Sequence, residues 1–216
     1  MEKIEAVNTN ELSRSIMAVT ILKVLSPSLF WVRYKHWDRQ FEELIEDLNF
    51  YMERKKDRLV FFPMSLKKGS LVAITTNKGW QRGVVSNFNG DATVQVFLRD
   101  WGTFVRRSIM RLYILEDQFR KLPWQAIPCG LAYAEPLTQG SPWSREAREI
   151  VKLLENREGW ARIIKPINEE GAMMHLETQH QAGEGSKELV ATLDHLGYIR
   201  RSSTPSSSTF PTIEEE

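Results

Sequence analysis

GSLVAITTNKGWQRGVVSNFNGDATVQVFLRDWG, residues 69–102, is the stretch whose reading decides the fold. Four short strand-like runs lie in and just beyond it: Leu71 to Thr75, Trp80 to Phe88, Ala92 to Arg99 and Thr103 to Arg107. Asn77-Lys78-Gly79 and Asn89-Gly90-Asp91 separate the first three, and Asn and Gly tolerate the positive φ of tight hairpin turns. Gly102 permits another tight turn before the fourth run. Short strands at this spacing predict a small, strongly bent antiparallel barrel.

Outward from the barrel, periodicity changes with each segment. Upstream, Ile16 to Tyr34 is rich in β-branched and aromatic residues around Ser26-Pro27-Ser28, the pattern of a hairpin. Trp37, Phe41, Leu44, Ile45, Leu48, Tyr51 and Met52 recur at steps of three and four, which predicts an amphipathic helix to about Arg54. Downstream, residues 109–123 read as a linker helix or a mixed segment, ended by Pro123, and Trp124 to Pro136 is strand-like. Ser144 caps a helix whose apolar stripe is Ala147, Ile150, Val151 and Leu154. A hairpin turns around residues 168–171. A last helix, from Ser186 to Tyr198, is expected to turn Leu189, Val190, Leu193 and Leu196 inward. Residues 1–14 lack a period and read as flexible. Residues 201–216 are Ser-rich, then Glu-rich, and read as disordered. The apolar first unit finds no companion until after Trp124, which predicts one domain split by another. Residues 15–64 and 124–200 form the outer part, and 65–108 the inserted barrel.

Composition narrows function. Of 216 residues, 42% are hydrophobic and 26% charged, an ordinary soluble balance. A net charge of +1 exerts no strong long-range pull on nucleic acid or membrane. No apolar run approaches the ~20 residues of a membrane helix, and the mixed, acidic start does not read as a secretory signal, so an intracellular protein is expected. Cys129, the lone cysteine, excludes an intramolecular disulfide and sits in an apolar run that buries it. Asp38, Glu42, Glu43, Glu46 and Asp47 fall on the polar face of the first helix, and His36, His175, His180 and His195 are scattered. Neither set has metal-ligand spacing, so no metal, cofactor or catalytic group is expected. Arg99, Arg106, Arg107, Arg111, Arg120 and Lys121 form a basic run broken by Glu116 and Asp117. It reads as a solvated face, with single-stranded RNA binding as the competing function.

Four motifs in order carry a family resemblance. Gly69-x-Leu71-Val72-Ala73, Trp80-x-Arg82-Gly83-x-Val85 and Val94-x-Val96-Phe97-Leu98-x-Asp100-Trp101-Gly102 resemble the core of the Tudor domain. Phe119-x-x-Leu122-Pro123-x-Gln125-Ala126-Ile127-x-Cys129-x-Leu131 resembles the segment that follows the barrel in extended Tudor domains, and Val24 to Tyr34 the strand pair before it. The resemblance spans Ile16 to Tyr198. It implies an α+β, mostly β fold: a Tudor barrel inserted in a staphylococcal-nuclease-like OB fold with flanking helices. It implies a non-catalytic module binding the arginine-rich N-terminal tail of a Piwi-class Argonaute, often dimethylated, in cytoplasmic, perinuclear germline granules (nuage). Krimper-type proteins of the piRNA pathway are one home for such a domain.

The family's methylarginine box has four aromatic rings and an asparagine. Carried over, the rings fall at Thr75, Gln81, Leu98 and Trp101 and the asparagine at Thr103, so Trp101 alone keeps a ring. Three missing rings at about 0.5–1 kcal/mol each remove about 1.5–3 kcal/mol, roughly 10- to 150-fold in affinity. Thr75, Gln81 and Thr103 offer hydrogen-bond acceptors, and an unmethylated guanidinium has five donors to satisfy. An arginine peptide bound without need of methylation is therefore expected. A scaffold or self-association domain with a closed pocket is the alternative. Arg82 and Asp100, on adjacent strands, read as a bracing ion pair, with Gly102 as turn support.

Overall fold

The computed structural model describes residues 3–178, 185 and 187–205. Its strands are β1 (Met17–Ser26), β2 (Leu29–Tyr34), β3 (Leu71–Thr76), β4 (Gly79–Phe88), β5 (Thr93–Leu98), β6 (Thr103–Ser108), β7 (Tyr113–Ile114), β8 (Ile127–Leu131), β9 (Ala134–Glu135), β10 (Glu158–Ile167), β11 (Gly171–Thr178), β12 (Lys187–Glu188) and β13 (Arg200–Arg201). Its α-helices are α1 (Asp38–Lys55), α2 (Arg145–Lys152) and α3 (Leu189–His195). The chain divides into two compact units, Met1–Glu5 with Trp37–Gln125, and Ala6–His36 with Ala126–Glu216.

The first unit carries a five-stranded antiparallel sheet in the order β6-β5-β4-β3-β7. Alternation along β3 decides its two faces. Val72 and Ile74 point into a cluster with Leu66, Val85, Val94, Val96, Leu98 and Leu112. Leu71 and Ala73 point the other way, into a cluster with Trp80, Leu115, Phe119, Trp124 and the α1 residues Leu48 and Met52. The helical period of α1 places Phe41, Leu48 and Met52 on one buried stripe, as their spacing predicted.

The second unit is a closed barrel. Strand β1 pairs antiparallel with β10 and β2, β2 with β8, and β10 with β11, while β8 and β11 pair in parallel. Read in chain order, the ring is first, second, third, fifth, fourth, with the third and fifth strands parallel. That is the five-stranded Greek-key arrangement of an OB fold. Ser144 Oγ accepts the Ala147 N–H at 3.1 Å and starts α2, whose Ala147 and Val151 are buried.

Four expectations change. Residues 1–14 are held: Ile4 is fully buried in the α1 cluster, the Glu5 carbonyl accepts the Trp124 N–H, and buried Thr9 bonds to the backbone of Glu169 and Gly171. A single isoleucine with a matching hole is enough, and a period cannot reveal it. Residues 109–123 form no linker helix. They make a 3-10 turn at Ile109–Arg111, the edge strand β7 and another 3-10 turn at Asp117–Arg120, because Leu112 and Leu115 are drawn into the two opposite clusters. Helix α1, expected with the outer fold, groups with the sheet it covers. At the end of the chain, α3 stops at His195 and Gly197 adopts a φ of +72°. Leu196 is thereby turned out and Ile199 in. Arg200 and Arg201 then pair with Glu135 and Ala134, so order continues past residue 200. Ser186, His180 and residues 206–216 lie outside the described residues.

Candidate functional site

The turn between β3 and β4 is built by local hydrogen bonds. Thr76 Oγ1 accepts the Lys78 N–H and donates to the Gly79 carbonyl, both at 3.1 Å. Gly79 adopts a φ of +87°, and a Cβ there would run into the Asn49 amide of α1. Asn49 Oδ1 accepts the Trp80 N–H at 2.9 Å, and its Nδ2 donates to the Ile45 carbonyl at 2.7 Å. The hairpin tip is thus pinned to α1, with Lys78 at its apex. Trp80 itself is buried, and its indole N–H donates to Glu53 at 2.7 Å.

The turn between β5 and β6 does the complementary job. The Trp101 N–H donates to the Leu98 carbonyl at 2.9 Å, and Gly102 adopts a φ of +65°. This sharp reversal sends Asp100 inward and leaves Trp101 half-buried. Asp100 meets Arg82 in a bidentate pair, Nε to Oδ2 at 2.9 Å and Nη2 to Oδ1 at 2.7 Å, with both side chains essentially shut off from solvent. Arg82 also donates from Nη1 to the carbonyls of Phe119 (3.0 Å) and Leu122 (2.8 Å), and from Nη2 to that of Pro123 (3.2 Å). All five guanidinium donors are used. The Gln125 N–H donates to Asp100 Oδ1 at 3.0 Å. The pair therefore ties β4, the β5–β6 turn and the segment leaving the barrel into one node. Gln125 Oε1, buried beside it, has no hydrogen-bond partner among the described residues.

Trp101 packs against the sheet cluster, and three further contacts fix its ring. Its indole Nε1–H donates to Gln81 Oε1 at 2.7 Å. Phe41 meets the ring edge-on, with centroids 5.7 Å apart and planes at 66°. Lys78 Nζ stands 4.3 Å from the ring centroid, within cation–π range. Gln81 is 2% exposed and also donates from Nε2 to the Lys78 carbonyl at 3.3 Å, so one amide holds both the ring and the turn bearing the cation.

The other carried-over positions are placed differently. Leu98 is buried in the sheet cluster with Val72, Ile74 and Val96. Thr103, half-buried, pairs with Leu98 in register across β5 and β6. Thr75 is exposed, and its carbonyl accepts from the Arg107 guanidinium at 3.3 and 3.4 Å. The arrangement thus joins Gln81 with Trp101, and adds Phe41 and Lys78, neither of which the sequence singled out. Lys78 had one signal: it lies on the hairpin between two of the carried-over positions.

Arg106 pairs with Asp91, and Arg120 bonds Asp117 and the Leu115 carbonyl, so the basic run is largely engaged within the protein. On the outer barrel, half-exposed Trp160 sits opposite Glu177 in register, an acidic neighbour unfavourable to phosphate. Among the described residues there is no group of three or more His, Cys, Asp or Glu that could hold a metal ion, and no helix long and apolar enough to cross a membrane.

Comparison with known proteins sets this geometry in context. A Tudor domain family model matches residues 11–133. Tudor domain-containing protein 5 of Rattus norvegicus is 33% identical over 143 residues, covering 62% of this chain and 14% of that protein. Tudor domain-containing protein 6 of Homo sapiens is 27% identical over 180 residues, covering 82% of this chain and 8% of that protein. The chain therefore spans a small part of these relatives. In structure it is similar to the extended Tudor domain TD3 of mouse TDRD1 in complex with a MILI peptide containing dimethylarginine, with a TM-score of 0.78, 18% identity, and 92% of this chain and 100% of that one covered. It is likewise similar to a substituted variant of the Drosophila melanogaster Papi extended Tudor domain in complex with an unmethylated Piwi N-terminal peptide, with a TM-score of 0.72, 18% identity, and 87% and 100% covered. At that identity the likeness is one of fold.

Proposed function

The chain belongs to the Tudor domain family, and we propose that it is a non-catalytic interaction module that binds an arginine-containing peptide of a Piwi-class Argonaute without requiring arginine methylation. The observation that carries this reading is the Trp101–Gln81 pair: one ring, fixed by a buried amide, where the family pattern sets several rings. Methyl groups on a guanidinium remove donors and leave stacking and cation–π contacts to carry recognition. With Trp101 the one ring among the carried-over positions, and Phe41 already packed against it, the site has little to gain from them. Gln81 Oε1 accepts one hydrogen bond from the indole, and a carbonyl oxygen has a second lone pair for a guanidinium donor. The complexes of the structural relatives support the ligand class, since one holds a dimethylarginine peptide and another an unmethylated Piwi peptide. The same reading puts the protein in germline granules.

Calorimetry with matched unmodified and dimethylated Argonaute-tail peptides tests the proposal. The unmodified peptide is expected to bind at least as tightly, and Trp101→Ala to abolish binding. Tighter binding of the dimethylated form would overturn it. One observation favours the second reading, a scaffold whose pocket is closed: Leu98 is buried and Lys78 covers the remaining ring. That reading expects no peptide binding and concentration-dependent self-association in sedimentation.

A further inference from the structure

We infer that Lys78 is the specificity-determining residue of the Trp101 site: a resident cation on the ring that a ligand's guanidinium must displace. The inference rests on the peptide-binding reading above and adds what sets its affinity. The ammonium lies 4.3 Å from the ring centroid, where an incoming cation gains most from the ring's quadrupole. Phe41 packs against the ring and Gln81 holds its N–H, so an incoming side chain competes for a face that Lys78 already shares.

The turn keeps that occupant close. The Lys78 N–H is held by Thr76, its carbonyl by Gln81, and the neighbouring Gly79 is pressed against Asn49. Only the four-carbon stem is left to move, which gives the ammonium a high effective concentration at the ring. Lys78 is exposed, so on displacement its charge passes into water without a burial penalty. An exposed cation–π contact is worth only about a two- to fivefold change in an equilibrium. Lys78 is therefore a displaceable occupant and not a lock. It lowers affinity for every cationic ligand and leaves neutral ligands unaffected.

The test uses the full chain, labelled with 15N, and follows the Trp101 indole N–H, assigned by its loss in Trp101→Phe. The probes are an arginine-glycine repeat peptide, its citrulline counterpart and tetramethylammonium. Lys78→Gln is expected to bind the arginine peptide and tetramethylammonium about two- to fivefold more tightly than the natural chain. Lys78→Arg, which keeps the cation, is expected to gain nothing, and the citrulline peptide to be indifferent to all three. Equal affinities of the natural chain and Lys78→Gln for the arginine peptide and tetramethylammonium overturn the inference. If neither peptide binds any variant, the peptide-binding reading has failed, and tetramethylammonium with the indole resonance decides separately. An unchanged resonance in Lys78→Gln and no gain for tetramethylammonium overturn Lys78 as the occupant.

Discussion

Asp100→Ala is the perturbation with the largest expected effect. It removes two charge-assisted bonds from an Arg82 side chain that is wholly buried, and takes the acceptor from the Gln125 N–H. Arg82 keeps three carbonyl partners, but its charge loses its counter-ion. Removing one partner of a buried ion pair costs about 3–5 kcal/mol, a large fraction of the ~5–15 kcal/mol that holds a domain folded. With a slope of about 1–3 kcal/mol per molar urea, the unfolding midpoint falls by at least about 1 M. Arg82→Met costs a similar amount for another reason, since the carbonyls of Phe119, Leu122 and Pro123 lose their donor. Once the arginine is gone, Asp100 has no cation to neutralise. Arg82→Met with Asp100→Ala is therefore expected to cost little more than Arg82→Met alone, far less than the sum of the singles. Urea unfolding of the four chains, followed by tryptophan fluorescence, measures the cycle. Additive costs, or an Asp100→Ala penalty under about 1 kcal/mol, would refute the claim that the two residues act as one node.

Burial, aided by nearby Cys129, pushes the Tyr34 phenol up to about 12. A folded value above the unfolded one means that its stabilising effect is intact below about pH 10 and lost as pH rises toward 12. Tyr34→Phe should flatten that alkaline decline without abolishing it, because burial also raises the Cys129 thiol; parallel stability curves would contradict this. Glu53 is held below the usual carboxylate range, first by the Trp80 indole N–H and then by Lys56. Its contribution is present above the ordinary Glu range and lost as pH falls through the lowered value, so Glu53→Gln should weaken the acid dependence of stability between about pH 5 and 3. Ile4→Ala should cost about 2–5 kcal/mol by emptying a fully buried site, whereas a flexible N-terminus would show no change in urea midpoint.

The parts of this fold that were legible in the sequence are those where a period repeats. The strand-like runs of the barrel, the α1 stripe and the hairpin turns are each signalled by several residues within a short span, and the structure bears them out. What stayed hidden depends on single long-range fits. Ile4 fills one hole, Arg82 collects carbonyls thirty-seven to forty-one positions away, and Leu196 yields its inward place to Ile199 because Gly197 reverses the chain. At the site, motif alignment pointed to Gln81 and Trp101, which the structure joins by a hydrogen bond. It missed Phe41, whose place on the α1 stripe explained it fully as core. It also missed Lys78, a turn residue whose importance lies in where its side chain folds back.

The barrel frame and the proposed recognition positions are held by different interactions, so under the peptide-binding proposal those positions can vary while the barrel persists. Trp80 is fixed by Asn49 and Glu53, and Arg82 by Asp100 and three carbonyls. Neither set includes Thr75, Gln81, Leu98, Trp101 or Thr103. A substitution at one of those positions is therefore expected to cost the fold only local packing; Leu98 lies in the sheet cluster. Gln81 and Lys78 then stabilise Trp101 from within. Restoring a ring at position 81 would not by itself restore methylarginine selectivity. It would remove the acceptor that orients the indole and the donor that holds the Lys78 carbonyl, leaving the new ring beside a reoriented tryptophan. Gln81→Tyr is accordingly expected to bind dimethylated peptide no better than the natural chain unless Lys78 is neutralised as well. A gain of tenfold or more in the single variant, read by calorimetry, would show that the missing ring was the whole deficit.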